Sequence, residues 1–147
     1  MHERGFTLLE LLVVFAIIAL VVGLTPVAFD RLRDSAQYRN TLRTMISEMR
    51  QARTIAVGQG REIQFKIDLQ KHAFGMDGGA VHALPSSLQL RATVASRELT
   101  QGVAAIRFLP DGGATGGSIE IKRTSGDGSR LRVDWLSGRV TQESLFP

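Results

Sequence analysis

Three groups of residues have types and spacings that can do chemistry. The first lies in MHERGFTLLELLVVFAIIALVVGL, where Glu10 stands inside an apolar run, four residues after Phe6. A carboxylate on a spanning helix costs roughly 2.5–3.5 kcal/mol near a bilayer centre and less toward its ends. It calls for a positive partner, and the apolar run holds none. A chain beginning at Phe6 would supply one, because its α-amino group would lie one helical turn from Glu10. That amine can be met by Glu10 of the same chain or of a neighbouring chain, and in the second case Glu10 is an assembly contact. The second group is Arg123, Arg130, Arg132 and Arg139, a candidate patch for an anion or for DNA. The third is His72 and His82, flanking a turn. With no matching carboxylate cluster they read as surface histidines rather than metal ligands. Ser, His and Asp all occur, but nothing marks a nucleophile with its base. No catalytic set, cofactor or metal is expected, and the chain does not read as an enzyme.

Two kinds of element must position these residues. Phe6 to Leu24 is a run of nineteen residues, roughly 28 Å as a helix and close to a bilayer's hydrocarbon thickness. It has no polar stripe, unlike a helix packed on a soluble core. The head MHERG is short and VVGLTPVA is a poor cleavage site, which disfavours a secretory signal peptide. Gly23 and Pro26 predict a bend or short break near Thr25–Pro26. Beyond Phe29 the pattern is amphipathic, with Leu42, Met45, Ile46, Met49, Ala52 and Ala56 at helical spacing. The Met45/Met49 stripe reads as a face packed on a core, and Gly58 and Gly60 end the helix.

After Gly60 the period changes to two. Ile63, Phe65, Ile67 and Leu69 alternate with polar residues, as do Leu88, Leu90, Ala92 and Val94. Further strands are AAIRFL, SIEIKR, LRVDWL and GRVTQE, with Leu131, Val133 and Trp135 aligned toward the core. The segments FGMDGG, PDGGATGG and SGDGS read as turns. The loop DGGATGG lacks a P-loop's lysine and following helix, so it reads as a hairpin loop. The fold class is α+β: a long N-terminal helix, membrane half plus amphipathic half, packed on a mostly antiparallel sheet or two-sheet sandwich. The boundaries are a leader at 1–5, a transmembrane segment at 6–24, an amphipathic helix at 25–58 and a β-rich globular domain at 59–147.

The absence of cysteine among 147 residues excludes disulfides, thiolate metal sites and cysteine nucleophiles. A formal net charge of +4 is compatible with an anionic membrane surface, an acidic partner or nucleic acid and selects none of them.

RGFTLLELLVVFAIIAL resembles the N-terminus of type IV pilins and type II secretion pseudopilins, with glycine, phenylalanine, threonine, leucine, glutamate and the apolar run in register. The resemblance implies cleavage after Gly5 by a prepilin peptidase, N-methylation of Phe6, and a role for Glu10 in subunit entry into a filament. The leader departs from the pattern in being short and weakly basic. IRFLPDGGATGGSIEIKRTSGDGSRLRVDWLSGRVT resembles the C-terminal region of H-class minor pseudopilins and their FimT-like relatives. The two resemblances together imply a minor pseudopilin, a structural subunit near the tip of the type II secretion pseudopilus. Its domain would be periplasmic and its single-pass anchor would lie in the bacterial inner membrane. The implied partners are other minor and major pseudopilins, the prepilin peptidase, the inner-membrane assembly platform, the lipid bilayer and secreted cargo. The alternative is a FimT-like minor pilin that binds DNA through Gly-Arg-x-Arg. Here Gly138, Arg139 and Val140 are followed by Thr141 in place of the second arginine, and aromatic platforms are scarce, so nucleic acid is the less favoured partner.

Overall fold

The structure, a computed structural model, describes residues 6–95 and 99–145, with the side chains of 24–31, 99 and 100 outside the description. Two compact units divide at Ala36/Gln37. One helix, α1 (Leu8–Gln59), contributes to both.

In the first unit α1 begins where the sequence offers a cap. Thr7 is the N-cap: its carbonyl accepts from Leu11 N at 3.2 Å and its Oγ1 accepts from Glu10 N at 3.2 Å. This satisfies one of the free N–H groups of the first turn. Past the cap, the large apolar side chains from Leu8 to Val22 are all exposed, from Val14 at 43% to Leu8 at 82%. An apolar helix with no buried face within its own chain is built to be covered by something else. Among the described residues no helix is long and apolar enough to cross a membrane. The expected span ends at Leu24, whose side chain lies outside the description. α1 runs through Thr25 and Pro26 without interruption, so the expected break is absent. A proline removes only its own rung of the ladder, and the flanking rungs carry the helix past it.

In the second unit α1 buries Leu42, Met45, Met49, Ala52 and Ala56 of the stripe that helical spacing predicts, with Ile46 half-buried at its edge. Gly60 ends the helix in the left-handed region, φ 62°, and Arg61 N reaches back to Ala56 O at 3.2 Å, the six-to-one bond of a Schellman cap. Among the described residues nine strands follow: β1 (Ile63–Asp68), β2 (Ala73–Met76), β3 (His82–Ala83), β4 (Leu88–Thr93), β5 (Leu99–Thr100), β6 (Val103–Phe108), β7 (Gly117–Arg123), β8 (Gly128–Val133) and β9 (Val140–Leu145). They form two antiparallel sheets, ordered β3-β2-β1-β6-β5 and β4-β7-β8-β9. Ile63, Phe65 and Ile67 of the first sheet and Ile119, Ile121 and Leu131 of the second are almost wholly buried in one core with the helix stripe. Truncating such a side chain to alanine costs about 2–5 kcal/mol.

Two expectations change. Phe74–Met76, read as part of the turn FGMDGG, belongs to the strand Ala73–Met76, because that backbone pairs with β1 from Phe65↔Met76 to Asp68↔Ala73. Residues 109–113 close a hairpin onto the end of β6, as expected for this loop: Leu109 N donates to Gly113 O at 2.9 Å, Thr115 N donates to Arg107 O at 2.8 Å, and Phe108 bridges Ala114 antiparallel. The chain then passes from β6 in one sheet to β7 in the other. Trp135 is 67% exposed rather than in the core. The pleat ends at Val133, where Asp134 Oδ1 accepts from Ser137 N at 2.8 Å and from Ser137 Oγ at 2.7 Å. That turn takes Trp135 out of the alternation that buries Leu131 and Val133.

Candidate functional site

Two regions carry the residues singled out by sequence. At the N-terminus Gly5 lies outside the described residues. Phe6 is 78% exposed and precedes the helix, as does Thr7. Helical spacing therefore starts at Leu8, and the one-turn geometry expected between Phe6 and Glu10 does not hold from a helical Phe6. Glu10 instead occupies the third helical position, three residues from the N-cap threonine, in the arrangement of a capping box. Its carboxylate also suits the positive end of the helix dipole. The cap signal Thr7-Leu8-Leu9-Glu10 is present in the sequence but masked by the apolar run around it.

The second region is the outer face of the β4-β7-β8-β9 sheet. Alternation places Leu131 inside and Arg130 and Arg132 outside. Cross-strand register aligns Arg91 with Glu120, Glu120 with Arg130, and Arg130 with Glu143. Arg130 Nη2 lies 2.6 Å from Glu120 Oε1, and its Nη1 lies 4.0 Å from Glu143 Oε2. The Arg130 bond holds the Glu120 carboxyl below the usual range, against a burial effect that opposes it, and raises Arg130 in turn. The Ser137 hydroxyl and backbone N–H likewise hold Asp134 low, with a smaller contribution from Arg132.

The structure brings three of the four candidate arginines together. Arg130, Arg132 and Arg139 line one groove with Trp135. Arg123 is separate: it belongs to the inward row of β7, its guanidinium sits 4.9 Å from the centre of the Tyr38 ring, and it pairs with Asp127. The expected patch of four is thus a group of three, and one of those is held between carboxylates. Neither histidine joins a metal cluster among the described residues. His82 stacks on Phe74 at 5.2 Å and its Nε2 lies 3.2 Å from Glu48 Oε1. His72 sits in a turn at φ 47°.

One positioning residue had no sequence signal. Arg53, on α1, donates from Nε to Gly112 O at 3.0 Å and to Ser137 O at 2.9 Å. It holds the 109–116 connection against the Asp134–Ser137 turn. Ala114 N donates to Trp135 O at 2.9 Å across the same junction. Trp135 and Arg139 therefore project from a turn anchored on both sides.

The comparisons agree with this architecture. Residues 1–25 match the model of the prokaryotic N-terminal methylation motif, and residues 41–138 match that of type II transport protein GspH. The type II secretion system protein H of Xanthomonas campestris pv. campestris is 36% identical over 145 residues, covering 97% of this chain and 84% of that protein. Two solved structures share the fold at 16% identity. The minor pseudopilin EpsH of the Vibrio cholerae type 2 secretion system has a TM-score of 0.55 and covers 76% of this chain and 98% of its own. The type IV minor pilin FimU of Pseudomonas aeruginosa has a TM-score of 0.55 and covers 76% and 92%. With a methylation motif at its N-terminus, a family match over its sandwich and a relative that spans nearly all of it, the chain belongs to the GspH family of type II transport proteins.

Proposed function

We propose that this chain is a minor pseudopilin, a structural subunit of a type II secretion pseudopilus, and not an enzyme. The observation that carries the reading is the joining of an N-methylation motif at residues 1–25 to a GspH-family domain at 41–138. The helix supports it. From Leu8 to Val22 the large apolar side chains are exposed, and lipid or neighbouring subunits would cover them.

On this reading a prepilin peptidase cuts after Gly5 and methylates Phe6. The apolar half of α1 anchors the subunit in the inner membrane and later packs in the filament, and the β-rich domain stands in the periplasm. Glu10 meets an N-terminal amine on assembly. Phe6 and Thr7 lie before the helix, so that amine sits beside the capped first turn. The domain contacts other pseudopilins, the assembly platform and cargo. The DNA-binding alternative has no support from the comparisons, and its arginine patch is reduced by the placement of Arg123 and the pairing of Arg130.

Mass spectrometry of the protein from its native host tests the maturation. The expected product begins at N-methyl-Phe6, and an uncut chain would sink the reading. Glu10→Ala is expected to be cleaved normally and to secrete poorly. Full secretion by that variant removes the assembly role.

A further inference from the structure

The outer face of the β4-β7-β8-β9 sheet and the turn before β9 carry two guanidinium groups, Arg132 and Arg139, that hold no carboxylate within ion-pair distance among the described residues. The row Arg91, Glu120, Arg130, Glu143 alternates in sign and neutralises itself. The row beside it is Thr93, Ser118, Arg132, Thr141: three hydroxyls and one cation. Among the described residues neither Arg132 nor Arg139 forms an ion pair. The acid nearest in sequence to both, Asp134, has its Oδ1 occupied by Ser137. Both arginines line a groove of about 1070 Å³ that runs from Thr93 and Val94 to Thr141, together with Arg130 and the carboxylates of Asp134 and Glu143, which lie against Ser137 and Arg130 respectively. The exposed ring of Trp135, the chain's one tryptophan, also lines it. Unpaired arginines are suited to bidentate carboxylate recognition. An exposed tryptophan on an anchored turn has the character of a binding hot spot.

We propose that this groove docks an extended acidic segment of a partner protein, with Arg132 and Arg139 taking its carboxylates and Trp135 packing on an adjacent apolar side chain. Four strands spaced about 4.8 Å apart make the hydroxyl row roughly 14 Å long, the reach of about four extended residues. One aromatic ring provides no ladder for successive bases, which favours a peptide over single-stranded nucleic acid. The inference names a partner chemistry for the domain and does not rest on the export reading.

Trp135 reports on the site directly. The full chain in a non-ionic detergent is titrated with the capped peptide Glu-Asp-Phe-Asp-Glu while tryptophan fluorescence is followed. Saturable binding is expected that weakens as salt rises. It should weaken at least tenfold in Arg132→Gln/Arg139→Gln and disappear with Gln-Asn-Phe-Asn-Gln. The charge-reversed pair Arg132→Glu/Arg139→Glu should instead bind Lys-Lys-Phe-Lys-Lys. Both substitutions are on exposed side chains, and circular dichroism checks that each variant is folded. Should either variant fail to fold, the salt series and the amide peptide still decide on the unaltered chain. Absence of binding, equal binding of the amide peptide, an unchanged affinity in a folded double glutamine variant, or displacement of the peptide by a tighter-binding DNA oligonucleotide overturns the proposal.

Discussion

Arg53 Nε lies 2.9 Å from the carbonyl oxygen of Ser137, joining α1 to a turn 84 positions further along the chain. The same nitrogen also reaches Gly112 O at 3.0 Å. Hydrogen bonds from a charged donor contribute about 1.5–3 kcal/mol. Arg53→Ala is expected to lose roughly that amount in denaturant unfolding. Arg53→Lys should recover only part of it, because an ammonium lacks the planar fork. A cost below about 0.5 kcal/mol would show that the junction holds without Arg53.

Gly138 is the tightest point of that junction. At φ 62° a Cβ would lie 2.5 Å from Gly112 O and 2.9 Å from Arg53 Nε. Gly138→Ala combines left-handed strain with a clash against backbone, and a loss of at least about 1–3 kcal/mol follows. By contrast Gly126, also at positive φ, has open space around it. Gly126→Ala should carry the conformational cost alone and be the milder of the two by thermal unfolding.

The N-cap gives a local prediction. Thr7→Ala removes the acceptor of Glu10 N and should cost about 0.5–2 kcal/mol at the start of the helix. Thr7→Ser keeps the hydroxyl and most of the effect. Amide hydrogen exchange at Glu10 reads this directly, and equal protection in the two variants would count against Thr7 as the cap.

The outer-face carboxylates set an acid limit. Glu120 and Asp134 are held low in the folded chain, chiefly by Arg130 and by Ser137 respectively. A carboxyl whose folded pKa is lowered contributes stability that is complete above its unfolded value, about 4, and is lost as pH falls through the folded value. The melting temperature should hold near pH 5–7 and drop below about pH 4. Glu120→Gln should make that acid limb shallower. A melting temperature that rises on acidification from about pH 5 to pH 3 contradicts the assignment.

Periodicity carried much of the fold. Met45 and Met49 at helical spacing, and Ile63, Phe65 and Ile67 at strand spacing, are buried as those periods require. Where a local turn cut across the period, the reading failed. Leu131, Val133 and Trp135 alternate in sequence, yet Asp134 and Ser137 close a turn that turns Trp135 outward. The hairpin at 109–113 was legible because hairpin chemistry is local. Which sheet receives β7 was decided by pairing with β4 and β8, and that pairing is tertiary. At the site, strand alternation was enough to put Arg130 and Arg132 on one face. The carboxylates opposite Arg130 depended on register, and the contacts of Arg53 join residues too distant in sequence to leave any pattern.

The chain order of the two sheets bears on how the domain is assembled. β7, β8 and β9 are successive strands joined by short turns, so their pairing closes small loops. The first sheet instead depends on β1 meeting β6, from Ile63↔Phe108 to Asp68↔Val103, after the chain has made β4 in the other sheet. Closing that larger loop carries more entropy cost and is rewarded only once the ladder forms. During synthesis β1 emerges well before β6, and its Ile63, Phe65 and Ile67 stay uncovered by that neighbour until β6 arrives. The interval before β6 arrives is when the chain is most open to aggregation, and the exposed Lys66 between Phe65 and Ile67 is the charge that interrupts the run.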